Sequence, residues 1–157
     1  MSFPSPEQRI LDLGLTLPEP PSALGVYAPA LVAGSLVYTA GHLPADAAGN
    51  TITGRLGETL TTGQGAKAAR WACLSLLASV RAAVGTLDRI AHLVKLTGFV
   101  SAAPDFKDHS AVVNGASELL RDIFGGEVGV GTRSAVGVAS LPKGAAVELE
   151  GVFALRE

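Results

Sequence analysis

Cysteine is nearly absent from this chain. Cys73 is the only one in 157 residues, so no internal disulfide can form and nothing points to an oxidising compartment. Charge is scarce as well: Asp, Glu, Lys and Arg make up 17% of the residues while 48% are hydrophobic, against the ~25% charged residues typical of soluble domains. So few charges cover a monomer poorly, and some apolar surface is expected to be sealed by other subunits. Neither sign dominates, because 12 basic and 14 acidic residues leave a formal charge of −2, which gives no drive towards phosphate backbones. Nucleic acid is therefore a disfavoured partner. No apolar run approaches the ~18 residues of a membrane span, and no basic segment precedes an apolar one at the N-terminus, so cytoplasmic residence is the expectation. His42, His92 and His109 are scattered, and neither CxxC nor HExxH occurs. No metal site is expected from that spacing.

What is present reads as one domain over residues 1–157, with 1–22 as an N-terminal extension, long enough to bury roughly two thirds of its unfolded surface. Ser5-Pro6-Glu7-Gln8 places an N-cap, a proline at the first helical position and a capping-box glutamine in order, so a short helix should run to Leu13 and stop at Gly14. Val26–Val32 and Leu36–Gly41 read as strands joined by a hairpin turn at Ala33-Gly34-Ser35. A long loop follows from Ala45 to Thr61. From Gly63 to Val84, apolar residues recur at Ala69, Ala72, Cys73, Leu76, Leu77, Val80 and Val84, the spacing of one helical face. Cys73 on that face is expected to be a buried, inert thiol. A strand over Ile90–Val100 leads to a second amphipathic helix from His109 or Ser110 to Phe124, ended by Gly125-Gly126. The order ββαβαββ calls for a mixed sheet with two long helices packed on one face, an α+β architecture. The glycines at 125, 126, 129 and 131 have the character of a helix-to-strand connection, since no phosphate-loop sequence surrounds them.

The most informative segment is Thr132–Glu150, which sets Arg133, Glu148 and Glu150 around Leu141-Pro142-Lys143-Gly144 inside apolar strands. Proline and glycine there suit the corners of a reversal. A simple hairpin register pairs Ala139 with Ala146, Gly137 with Glu148 and Arg133 with Val152. Alternation then puts Arg133, Ala135, Gly137, Glu148 and Glu150 on one face, and Val136, Val138, Val147, Leu149 and Phe153 on the core face. Small residues beside the charges leave room for a small anion. Four residues separate Arg133 from Gly137, about 13 Å along a strand. Arg133 and Glu148 are thus not expected to pair directly, but to bracket a ligand with help from a neighbouring subunit or to approach through a bulge.

The Arg133-Ser134 pair leading through Leu141-Pro142 into Val147-Glu148-Leu149-Glu150 closely resembles the end of the Rid family, the reactive-intermediate deaminases also called YjgF or L-PSP proteins. Gly25-Val26-Tyr27 resembles that family's G-x-Y, Ala40-Gly41-His42-Leu43-Pro44 its S-G-Q-I-P, and Val113-Asn114 the V-N at the start of its second helix. The resemblance runs from Ala23 to the C-terminus. It implies a chorismate-mutase-like fold and a homotrimer with sites between subunits. It also implies that Arg133 binds a carboxylate, that Glu148 handles the attacking water, and that Tyr27, Gly41, Asn114 and Ala135 line the same pocket; the strand spacing makes Tyr27 of the adjacent chain the candidate for its missing wall. Two positions depart from the pattern: Ala40 replaces a serine and Ala135 a cysteine found in many deaminating members.

The chemistry suits these residue types. A guanidinium grips a carboxylate in bidentate fashion, and a carboxylate can deprotonate water for attack on an imine carbon, giving ammonia and a 2-keto acid. No metal or organic cofactor is needed, because an imine is already electrophilic. The expected function is therefore an enamine/imine deaminase acting on small 2-imino acids. The missing hydroxyl and thiol keep open a noncatalytic trimeric binder of small carboxylates or a regulatory protein. Endoribonuclease activity, a label attached to parts of the family, ranks below both, since no acid/base pair sits near basic phosphate contacts.

Overall fold

The computed structural model describes residues 3–157. Helix α1, Pro6–Asp12, begins at Ser5, whose hydroxyl accepts from the Gln8 N–H at 3.4 Å. Gln8 turns its amide to Asp12 at 2.8 Å instead of back to the cap, so the capping box expected there is half made. The extension is nevertheless anchored. Glu7 accepts from the Leu87 N–H at 2.9 Å and from Arg81 at 3.3 Å, and Arg9 donates to the Asp122 carbonyl at 3.0 Å.

Strands β1, Ala30–Ala33, and β2, Leu36–Thr39, form the expected hairpin across Gly34, which adopts φ +62°. The first strand is shorter than expected. Beyond Pro29 the chain bends through residues 24–27, because the strand opposite has left: after Ala40 N–H donates to Pro29, His42 pairs instead with Leu149. The 45–61 loop lacks regular structure but is stitched down by bridges from Ala45 to Thr51, Thr53 to Ala145 and Leu56 to Ala102.

Helix α2, Thr62–Val84, starts from a complete capping box: the Gln64 N–H donates to Thr61 Oγ1 at 3.2 Å while the Thr61 N–H donates to Gln64 Oε1 at 2.8 Å. Its expected apolar face is buried throughout, and so are Ala68, Leu74, Ser75, Ala78 and Ser79. Cys73 is fully enclosed, and burial pushes its thiol up to about 12, the pKa of an inert group. Strand β3, Ile90–Ser101, precedes helix α3, His109–Phe124, which buries Val112, Val113, Ala116, Leu119, Leu120 and Ile123 and stops at Gly125. Strands β4, Thr132–Val138, and β5, Val147–Leu155, complete a five-stranded sheet in the order β1-β2-β5-β3-β4. Helices α2 and α3 pack on each other and against one face of this mixed sheet, as the α+β, ββαβαββ reading expects. Among the described residues no helix is long and apolar enough to cross a membrane.

The expected hairpin between the last two strands does not form. Strand β3 lies between them, parallel to β4 and antiparallel to β5. The chain does reverse at Pro142–Gly144, where Lys143 has φ +57°, but the residues after the reversal are paired elsewhere. Ala146 donates to Ile52 and accepts from Ser101, and Val138 accepts from Ala102. The face assignment changes with the pairing. Gly98 of β3 is level with Ala135 on one side and Leu149 on the other. Arg133, Ala135 and Gly137 therefore share the helix-covered face with Val147, Leu149 and Phe153, while Val136 lies with Glu148 and Glu150 on the open face. The grouping of Arg133 with Glu148 on one face is thus corrected.

Thr61→Ala removes half of the α2 capping box. It is expected to lower unfolding free energy by about 1 kcal/mol, read as a lower urea midpoint at unchanged slope.

Candidate functional site

Glu148 leaves the centre of the open face and leans over the backbone of Gly41. A Cβ at position 41 would overlap the Glu148 carboxylate, so any larger residue there displaces that carboxylate from its present place. The carboxylate forms part of the wall of a cavity of about 220 Å³ that also involves Tyr27, Gly41, His42, Ser75 and Lys143. Burial, reinforced by the negative charge of Glu150 two residues along the same face, raises the Glu148 pKa above the ordinary carboxylate value. Such a group holds a proton more readily than a surface carboxylate does. Tyr27 is exposed, and its hydroxyl accepts from the Leu24 N–H at 3.0 Å. That bond folds the 24–27 bend around the ring.

His42 supports this cavity from behind. Its backbone donates to the Leu149 carbonyl at 2.7 Å and accepts from the Leu149 N–H at 3.0 Å, the residue next to Glu148. The side chain points to the helix side and is 2% exposed. Nδ1 lies 2.8 Å from the Ala40 carbonyl, which can only accept, so the proton sits on Nδ1 and Nε2 accepts from the Ser79 hydroxyl at 2.7 Å. Burial lowers the His42 pKa, more than the Ala40 contact raises it. The imidazole is thus a neutral strut between α2 and the cavity floor, in keeping with a structural histidine.

Arg133 belongs to a different place. It stands on edge strand β4 against α3, where Nη1 donates to Asn114 Oδ1 at 2.7 Å and to Ser117 Oγ at 3.1 Å, and Nη2 donates to Ser110 Oγ at 2.6 Å. Three oxygens from successive turns of one helix hold the guanidinium plane, a pre-organised cation that forms no ion pair among the described residues. Ala135, half-buried, is the next residue along the same face. The predicted site residues therefore fall into two groups, Tyr27, Gly41 and Glu148 in the cavity and Arg133, Asn114 and Ala135 at the β4 edge. One chain does not bring them together. Ser110 and Ser117 were missed by sequence reasoning, yet Ser110, Asn114 and Ser117 recur at spacings of four and three, a polar stripe on an amphipathic helix. Lys143 and the His42–Ser79 bond carried no such local signal.

Residues 7–150 match the sequence profile of a family described as "YjgF/chorismate_mutase-like, putative endoribonuclease". Protein TCP17 of Trypanosoma cruzi is 42% identical over 143 residues, covering 91% of this chain and 89% of that protein. The crystal structure of Atu1372 from Agrobacterium tumefaciens, a protein of unknown function, is similar with a TM-score of 0.86 and 37% identity, over 96% of this chain and 94% of that one. Escherichia coli TdcF, crystallised with bound serine, is similar with a TM-score of 0.62 and 25% identity, over 88% of this chain and 94% of that one.

The His42 strut has a pH signature. Its folded pKa lies below the ordinary 6.5, so the unfolded chain binds the proton more tightly and stability must fall as pH drops below about 6.5. Urea unfolding across pH 5 to 8 should show this loss in the natural protein and a flatter profile in His42→Gln.

Proposed function

Because this chain belongs to the YjgF/chorismate-mutase-like family, we propose that it hydrolyses small 2-imino acids to 2-keto acids and ammonia, at sites completed between copies of the chain. The observation that carries this reading is the split itself. A half-buried carboxylate with a raised pKa lies on one face of the sheet and a pre-organised guanidinium on the other, at the β4 edge. Tyr27 lies just before β1, the opposite edge of the same sheet. If the β4 edge of one copy meets the Tyr27–Glu148 cavity of the next, each contact is head-to-tail, and head-to-tail contacts close into a ring when the rotation allows. A homotrimer is that ring. The apolar side chains of Val26, Leu31, Tyr38 and Val136 are exposed in the isolated chain, which is the surface that such an assembly would cover.

In this site Arg133 of one copy would hold the substrate carboxylate and turn its imine carbon towards Glu148 of the next. Glu148 takes a proton from water as the water oxygen bonds to the imine carbon. Returned to nitrogen, that proton gives the carbinolamine, whose hydroxyl proton then passes through Glu148 to the same nitrogen as the C–N bond breaks, ammonia leaves and the C=O forms. A raised pKa suits a group that must both accept and return a proton near neutrality. The bound serine in TdcF supports an amino-acid-sized ligand for such a pocket. Ala40 and Ala135 favour the second reading, a trimeric binder of small carboxylates that performs no hydrolysis.

Arg133→Lys replaces a planar fork by a point charge. It is expected to keep a light-scattering mass of three chains while weakening 2-oxobutanoate binding by about tenfold to a hundredfold; unchanged affinity rejects Arg133 as the carboxylate clamp.

Glu148→Gln tests the enzyme. With freshly generated 2-iminopropanoate, ammonia release is expected to slow by roughly 10²–10⁴-fold while keto-acid affinity stays near the original. If the unaltered protein binds keto acids but never exceeds the rate of solution hydrolysis, the binder reading replaces the enzyme.

A further inference from the structure

The reversal Leu141-Pro142-Lys143-Gly144 brings a cation to the wall of the Glu148 cavity, where Lys143 and Glu148 share the lining with Tyr27, Gly41 and Thr51. The backbone of the reversal is fastened along its length. Gly144 N–H donates to the Leu141 carbonyl and Ala145 N–H to the Pro142 carbonyl, both at 3.1 Å, while the Gly144 carbonyl accepts from the Gly54 N–H at 3.2 Å and Ala146 N–H donates to Ile52 at 3.0 Å. Lys143 is thus held between the 45–61 loop and the start of β5. There it adopts φ +57° and ψ +14°, the left-handed region, and it is the one non-glycine residue with positive φ among the described residues. Glycine or asparagine takes up that conformation at lower cost than lysine. Such strain persists where the surrounding structure enforces it, and it clusters at ligand sites.

The charge of this lysine is unmatched. Lys143 is exposed and forms no ion pair among the described residues, not even with Glu148 in the same wall. It is also the only charged cation of that wall, since His42 is neutral and turned to the helix side, and much of the remaining lining is apolar, with Leu24, Pro29, Leu43 and Pro44. An imino acid with an apolar side chain presents one carboxylate, which Arg133 would take, and leaves Lys143 without a counter-charge. A second carboxylate would give each cation its own anion. We propose that Lys143 makes the site selective for imino and keto acids that carry a second carboxylate at the far end of the side chain, an assignment that rests on the intersubunit site proposed above, with the first carboxylate on Arg133 of the neighbouring copy. Lysine suits that end of the ligand. A compact charge on a flexible stem can meet distal carboxylates at more than one chain length, whereas a planar fork favours one geometry.

2-Oxoglutarate and 2-oxopentanoate have carbon chains of equal length and differ only at the far end, a carboxylate in one and a methyl in the other. Titrated by calorimetry into the full-length protein at low salt, 2-oxoglutarate is expected to bind about tenfold more tightly, an advantage that shrinks as added salt screens the exposed ammonium. Lys143→Asn, whose side chain tolerates the left-handed backbone at this position, should bring the ratio of the two affinities close to one, and Lys143→Arg should keep most of it. Equal affinities in the unaltered protein, or a preference for 2-oxoglutarate that survives Lys143→Asn, overturns the proposal and leaves the hydrolysis reading in place, because that reading needs only 2-oxopentanoate to bind. Binding of neither keto acid refutes the intersubunit site itself, and the role of Lys143 falls with it.

Discussion

Strand β3 is the constraint on which the rest depends. It pairs along both edges, antiparallel to β5 and parallel to β4, and so fixes the register of the two strands that carry the charged residues. A parallel neighbour cannot follow through a tight turn and needs a crossover. Here α3 is that crossover, and its packing on the sheet requires Gly98, where an added Cβ would strike Val113. The same helix then supplies Ser110, Asn114 and Ser117 to Arg133. Fold and cation placement are thus one event: the element that makes the parallel pairing possible also orients the guanidinium.

The opposite face follows a different logic. There the open side of the sheet keeps Glu148 and Glu150, and the carboxylate at 148 becomes half-buried only because the Gly41–His42 segment swings away from β1 and joins β5. His42 locks that departure through Ser79 on α2. The cost of half-burying the Glu148 carboxylate, with the charge of exposed Glu150 nearby, appears as its raised pKa, which counts against stability at neutral pH. Each of the two groups of residues, around Arg133 and around Glu148, is therefore built by its own set of local contacts, with no ion pair linking them, and the sheet lies between.

Much of this was legible in the residues. The 3.6-residue period located α2 and α3 nearly to their ends, Gly85 and Gly125 stopped them, and Ser5 with Pro6 started α1. Buried apolar side chains at those spacings leave a helix little choice of inner face. The spaced motifs around Tyr27, Gly41, Asn114, Arg133 and Glu148 pointed to the right family, since the order and chemistry of short motifs survive changes in the intervening chain.

Sequence alone determined the helices, their two buried faces and the set of candidate site residues, because each rests on local periodicity, capping or side-chain type. Tertiary structure alone decided which strands are neighbours and which face of the sheet each charged residue occupies. A period of two records that Arg133 and Ala135 point the same way, but it says nothing of what lies on that side. That is settled only when a partner strand, distant in sequence, fixes the register, and the insertion of β3 between β4 and β5 placed Arg133 under a helix and Glu148 on the open face.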